Sequence, residues 1–404
     1  MVKKSYNHGE KLNNFIEIYD VLLTVLEKAD FLDYKGYSKF DGLHSPLTKA
    51  LSCGLWPLRL VWSQVVMRTP FNIRPLLLIK KGINPESPAL FARSNLDAFV
   101  LKGESIFEER ARKCLDWLLI NNSSVKGNFH GLSWGYHHPW QSTGFYQPPG
   151  FPNCYITIIV AEALLHGFRI LNDNRYLLAS RQACDFILHD LAVLHETKEE
   201  KSISYVPKMR TDFTVININA LCSALLAQVG TLTGELQLVE ESRKLMSFVA
   251  RMQTNEGAWY YTTNSRQSLV AHDNYHTGMI LDALMAYEQA TGDDRFRENL
   301  DKGLSFYRQR LFTQEGAPRW SSDKTFPLDV HGSGQGILTF SLSGDLEMAH
   351  RVASWAISNF YKGNGDFTYQ KCRFWDKNFT LLHWGNGWMA RGLSTFVLKA
   401  QKQL

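Results

Sequence analysis

Histidine, tyrosine and tryptophan gather with acids and amides in a few short stretches that lie far apart along the chain. The first reads Trp134-Gly135-Tyr136-His137-His138-Pro139-Trp140, the second Met209-Arg210-Thr211-Asp212-Phe213, and the third His272-Asp273-Asn274-Tyr275-His276. A fourth is divided between Asp329-Val330-His331 with Gln335, and His383-Trp384-Gly385-Asn386 with Arg391. Imidazoles and phenols are the side chains that carry protons in general acid–base catalysis. Tyr136, His137, His138, Tyr275, His276 and His331 supply them here. Asn274, Gln335, Asn386 and Arg391 are donors that can neutralise a carboxylate, which is what makes the C5 proton of a uronic acid removable. The residue types therefore suit uronate chemistry, by epimerisation or by lyase elimination. Tyr275, His276, His331, His138, Asp212 and Asp273 are the candidate catalytic residues. Tyr136, His137, Trp140, Asn274, Gln335, His383, Trp384, Asn386 and Arg391 are the candidate sugar-binding residues.

Two other chemistries compete. A glycosidase needs a pair of carboxyl groups about 5–10 Å apart. Asp212, Asp273 and Asp329 are available, but no acid-pair signature marks them. His272 and His276 are four apart, as in some zinc sites, although such a site needs a third ligand. In the simpler reading Asp273 or Asn274 caps a helix and His272 lines a rim. Neither metal nor organic cofactor is expected. The tryptophans admit two readings: plugs for the ends of a helical barrel, or flat apolar faces for sugar rings.

The elements that must bring these stretches together are legible as a repeat. Gly103-Glu104, Asn172-Asp173, Gly234-Glu235, Gly292-Asp293 and Gly344-Asp345 each open a helical segment, and they stand about 52 to 69 residues apart. Four of these segments end in glycine-aromatic turns, at Gly127-Asn128-Phe129, Gly257-Ala258-Trp259, Gly316 to Trp320 and Gly365-Asp366-Phe367; only Ser202-Ile203-Ser204-Tyr205 stands in that place after Asn172-Asp173. A period of about 60 residues holds two helices with their connections. One helix of each pair is amphipathic and charged, as in Glu104 to Ile120, and its partner is apolar, as in Ile156 to Leu171. A helix with a wet face belongs outside and one that is apolar all round belongs inside. The loops that open the inner helices centre near Asn95, Asn153, Asn217, Asn274, His331 and Trp384, which makes six units. The last inner helix, Trp388 to Ala400, has no outer partner after it, and the helix at 11–31 is free to fill that slot. A further helix is predicted at about 46–67, broken after it by Pro70 to Pro75. The expected fold is all-α, a single (α/α)6 toroid spanning 1–404, with residues 1–87 as N-terminal helices and a loop that close the ring.

Gln253-Thr254-Asn255-Glu256-Gly257-Ala258-Trp259 resembles the glutamine-tryptophan turn of terpene-cyclase and prenyltransferase toroids. The architecture as a whole is similar to six-hairpin glycosidases, polysaccharide lyases and the helical domain of glucuronyl C5-epimerases. The stretches Lys35 to Pro46 and Pro70 to Pro75, with Asp329 to Gln335 and Trp384-Gly385-Asn386-Gly387-Trp388, resemble proteins of capsule and exopolysaccharide clusters. These resemblances imply the toroid and a polysaccharide or oligosaccharide partner, of a class that includes anionic glycans.

Composition narrows the field further. Apolar content of 45% and charged content of 21% are those of a globular protein. No apolar stretch reaches the roughly 18 residues needed to span a bilayer, and the N-terminus has no apolar signal region. Six scattered cysteines without a C-x-x-C pattern suit a reducing compartment, so a cytoplasmic protein is expected. A net charge of +5 is too diffuse to suggest nucleic acid as a partner. Terpene chemistry lacks its acidic motif, since Asp293-Asp294 is the only doublet and opens an outer helix. No P-loop, dinucleotide fingerprint or nucleophile elbow is present.

Overall fold

The computed structural model describes residues 8–124, 127–142, 145–209, 211–264 and 271–402. Helix α1 (His8–Phe31) leads into an arm that holds the short helices α2 (Pro46–Leu51) and α3 (Trp56–Arg68). Pairs follow: α4 (Glu86–Lys102) with α5 (Ser105–Ile120), α6 (Cys154–Leu171) with α7 (Asn174–His189), and α8 (Ile216–Thr233) with α9 (Leu236–Arg251). Then come α10 (Asn274–Thr291) with α11 (Arg297–Arg310), α12 (Val330–Ser343) with α13 (Leu346–Phe360), and finally α14 (Trp388–Gln401). Each even-numbered helix from α4 packs on the next, and α14 packs back on α4, so the inner ring is closed. The odd-numbered helices stand outside it, and α1 lies against α13 and α14 in the remaining outer position. The fold is an all-α (α/α)6 toroid.

Local sequence explains the hairpins. Each helix α4, α8, α10 and α12 ends on a left-handed glycine (Gly103, Gly234, Gly292, Gly344), and Asn172 does the same for α6. The acid that follows is the N-cap of α5, α7, α9 and α13 and precedes the N-cap of α11, and the side chains of Asp173 and Asp345 accept the first free N–H groups of their helices. At the other rim, the turn glycines allow backbone to meet backbone. A Cβ on Gly257 would lie 2.6 Å from the carbonyl oxygen of Lys302 in α11, and one on Gly365 would lie 2.7 Å from that of Thr24 in α1. The turn after each outer helix thus docks on the next outer helix, and α1 receives the last of these contacts. In the Gln253–Trp259 turn, Gln253 donates to the Gly257 and Asn299 carbonyls while the Trp259 indole donates to Val249.

Several expectations shift. The helix predicted at 46–67 is two helices separated by a turn at Ser52–Leu55, where Cys53 and Gly54 adopt positive φ. The first inner helix starts at Glu86, so Asn95 lies within it rather than in its opening loop. The degenerate turn at Ser202–Tyr205 is part of an antiparallel hairpin, which follows two small strands, β1 (Trp140–Gln141) and β2 (Tyr146–Gln147). Its strands are β3 (Leu191–Glu196) and β4 (Lys201–Pro207). Helices α6 and α8 are long and apolar enough by composition to cross a bilayer, with mean hydropathy 1.6 and 1.3 over 18 residues. Their position in the inner ring accounts for this, since 67% and 78% of those windows are buried. All six cysteines are free thiols.

The arm is pinned by a buried ion pair. The Arg74 Nε donates to Asp41 Oδ1 at 2.7 Å and its Nη2 to the Ser38 carbonyl at 2.7 Å, while Asp41 Oδ2 accepts from the Ser38 N–H. Removing one member of such a pair strands the other charge, at a cost of about 3–5 kcal/mol. Asp41→Asn is expected to lower the denaturation midpoint and to admit protease within 35–82 before the toroid unfolds, as read by denaturant titration and timed proteolysis.

Candidate functional site

The inner helices begin at one rim, and each begins with polar or aromatic side chains turned inward. Glu86 opens α4, and its Oε1 accepts from the Tyr155 hydroxyl of α6 at 2.7 Å and from the Trp388 indole of α14 at 2.9 Å. His383 Nε2 lies 3.7 Å from the other carboxyl oxygen and 3.3 Å from the Asn84 amide. Burial pushes the Glu86 carboxyl up from 4.5 to about 7, against the two hydrogen bonds it accepts. Burial, followed by the charge of His138, takes His383 down to about 3.

Across the rim, Asp273 caps α10 by accepting from the His276 N–H, and its second oxygen is 2.6 Å from His276 Nδ1. The His276 ring lies between Tyr261 and Tyr275, with centroids 4.4 and 4.3 Å away, and its side chain is 21% exposed. Tyr275 stacks on His331 at 4.8 Å, and His331 stacks on Trp388 at 4.6 Å with its edge to Trp384 at 4.3 Å. An unbroken run of rings thus joins His276 to the indole that holds Glu86. Both nitrogens of His331 are buried without a hydrogen-bond partner. Burial, reinforced by the nearby Lys39 ammonium, holds this imidazole well below its usual range. Asp329 caps α12 at His331 N and also accepts from the Trp384 indole and the Gln370 amide.

The arm covers this rim. The Lys39 ammonium sits 3.7 Å from the centre of the Trp384 ring and 5.5 and 5.7 Å from those of Tyr275 and Trp320. Burial lowers it to about 8, opposed by Asp329 and Asp273. Phe40 packs between Trp140 and Trp384, linking the two sides of the mouth. On the Trp140 side, Tyr136 stacks on His138 and its hydroxyl is 3.3 Å from that of Tyr205. His138 Nδ1 lies 3.1 Å from its neighbour's carbonyl oxygen, and burial brings this ring down to about 4. His137 packs on Gly82 of the arm, where a Cβ would approach its ring to 2.4 Å.

The structure therefore brings together Tyr136, His137, His138, Trp140, Asp273, Tyr275, His276, His331, His383 and Trp384 around one mouth. It places the amides and the arginine elsewhere. The Asn274 amide donates to the Leu311 carbonyl and accepts from Tyr307, and Asn386 pins the turn at Gly365–Phe367. Arg391 is paired with Asp97 at 2.6 Å, while Gln335 donates to Asp282 at 2.7 Å, both within the inner ring. Burial pushes Asp97 up, but Arg391 and His166 together pull it well below the usual carboxylate range. Asp212 is exposed on the loop ahead of α8, and its neighbour Arg210 lies outside the described residues. His272 precedes α10 and packs on Tyr260 and Phe306, so it does not share a helical turn with His276. Among the described residues no three His, Cys, Asp or Glu side chains gather as a metal requires. Sequence reasoning missed Glu86, Lys39, Tyr155, Tyr205 and Tyr261. A signal for Glu86 was available: it is the first carboxylate after Asp41 and stands between two prolines.

No protein-family model and no curated protein matches the chain. Solved structures do. An unsaturated glucuronyl hydrolase specific for heparin superposes with a TM-score of 0.64 at 11% identity, over 97% of this chain and 98% of that one. A GH76 α-mannanase from Bacteroides thetaiotaomicron gives 0.60 at 11% identity, covering 79% of this chain and 87% of the other. Cellobiose 2-epimerase from Bacillus thermoamylovorans gives 0.57 at 10% identity, covering 80% and 88%. At these identities the likeness establishes the fold shared with those enzymes.

The raised Glu86 carboxyl fixes the sign of a pH effect. A carboxyl whose folded value lies above its ordinary 4.5 contributes stability that is complete below 4.5 and lost as pH rises through about 7. Glu86→Gln keeps an acceptor for Tyr155 and Trp388 but cannot ionise. Its unfolding free energy relative to the wild type is expected to rise between pH 4.5 and 7 and then level off, by on the order of a few kcal/mol, as read by denaturant titration.

Proposed function

We propose that the protein is a carbohydrate-active enzyme that removes a proton from carbon on a saccharide, with C5 of a uronic acid residue as the reacting centre. The observation that carries this reading is the Asp273–His276 pair at the mouth. A carboxylate on Nδ1 orients an imidazole and leaves Nε2 as the base. His276 is also partly exposed, between two partly exposed tyrosines that suit the face of a sugar. Tyr275, which burial keeps protonated, is placed to return a proton. The neutralising role that Asn274, Gln335, Asn386 and Arg391 cannot serve falls to Lys39, a cation already facing the mouth. The sequence resemblance points to a capsule or exopolysaccharide glycan as the polymer or precursor concerned.

A second reading is hydrolysis, favoured by Glu86. A buried carboxyl that is protonated near neutral pH is what a glycosidase uses to protonate its leaving group.

Incubation with uronate-containing and neutral glycans in heavy water separates these. Abstraction predicts deuterium at C5, or an ultraviolet-absorbing unsaturated end, with His276→Gln slowing turnover by about 10²–10⁴-fold. Lys39→Met is expected to raise KM for the acidic glycan. Reducing ends without deuterium, lost in Glu86→Gln but not in His276→Gln, would establish hydrolysis instead. Tight binding with an unaltered glycan across the panel would make the protein a glycan-binding partner and sink both readings.

A further inference from the structure

Residues 42–85 contain no aspartate or glutamate, yet they carry Lys49, Arg59, Arg68, Arg74, Lys80 and Lys81. This arm therefore holds essentially all of the net charge of +5, the remainder of the chain being close to neutral. Its helices also expose many apolar side chains and bury polar ones, Val66 being the buried apolar exception on α3. In α2, Thr48 is buried while Leu47 and Leu51 face solvent, and in α3, Ser63 is buried while Leu58, Val61 and Val65 face solvent. Those five apolar side chains are 38–55% exposed. Leu58, Val61 and Val65 are spaced three and four apart, so they form one stripe along α3. Trp56, Phe71, Leu76 and Leu78 extend the same character, at 57–75% exposure. Leu78 does so from a φ of +57°, a conformation that costs a leucine free energy. A soluble surface seldom gathers so many large apolar groups.

We propose that this face of the arm docks the protein on the surface of an anionic phospholipid bilayer. At 13 residues α3 is about 20 Å long, short of the roughly 30 Å hydrocarbon core, so it lies in the interface and does not span. Leucine, valine and tryptophan side chains enter the headgroup boundary, and the exposed Lys49, Arg68, Lys80 and Lys81 meet lipid phosphates. Charge selects this partner over a second copy of the chain. A twofold contact would set the same acid-free, basic surface against itself. The docking does not rest on the chemistry proposed above.

The test is co-sedimentation of the full chain with vesicles of phosphatidylcholine alone or mixed with phosphatidylglycerol. Binding to the mixed vesicles is expected, weakened about tenfold by high salt. Val61→Asp with Val65→Asp should reduce it by about tenfold or more with circular dichroism and melting temperature unchanged, because both side chains are already exposed. Lys80→Gln with Lys81→Gln should remove the preference for anionic lipid. Failure of the wild type to sediment with the mixed vesicles, or equal sedimentation by the aspartate variant, overturns the proposal. So does a concentration-dependent dimer that this variant converts to monomer without any vesicle binding, which would assign the face to self-association.

Discussion

Six helices that run the same way around a closed ring bring six N-terminal ends to one rim. Each end carries unpaired N–H groups and the positive pole of a helix dipole, and both favour acidic or polar side chains there. Asn153, Asp273 and Asp329 meet that demand as caps, and Glu86 stands as the first residue of its helix. The same requirement that ends a helix therefore stocks the mouth with carboxylates. Packing then covers them with rings, and burial raises the proton affinity of Glu86. Glu86 is held up to about 7, while the histidines beside it are held down. Groups tuned in opposite directions within one cluster are the raw material of acid–base chemistry.

The repeat was legible because every hairpin uses the same punctuation. A left-handed Gly or Asn ends the inner helix, and an acid begins the outer one. The positions of Asp273, Tyr275, His276, His331 and Trp384 followed, since all five stand at or just before inner-helix starts. Glu86 was hidden because Pro85 and Pro88 look like breakers, which moved the first inner helix toward Asn95. The amides were misjudged for an energetic reason. A buried amide left unpaired costs about 1–3 kcal/mol, so Asn274 and Asn386 are consumed by backbone groups and are not free for a ligand. Arg391 follows the same rule through Asp97. Lys39 reaches the mouth from a different part of the chain, and nothing in its local pattern announces that.

Lys39, Phe40 and the basic arm are one continuous piece, held by Arg74 and Asp41. The ammonium fills the centre of the aromatic cluster formed by Tyr275, Trp320 and Trp384. The apolar outer side of that piece and its charged tip belong to the same few turns of chain.

The seam of the ring has a consequence for how the protein is made. Glu86 meets Trp388, Asn84 meets His383 and Asp97 meets Arg391 across separations of 302, 299 and 294 residues. Helix α1 likewise finds its place against α14, far from it in sequence. Until α14 is in place the chain is an open arc, with the sides of α4 and α12 that pack on it uncovered. Contacts of such long range form slowly, and a nascent arc that waits for them invites aggregation. A ring of this kind gains its last stabilising contacts all at once, when α14 meets α4 and α12.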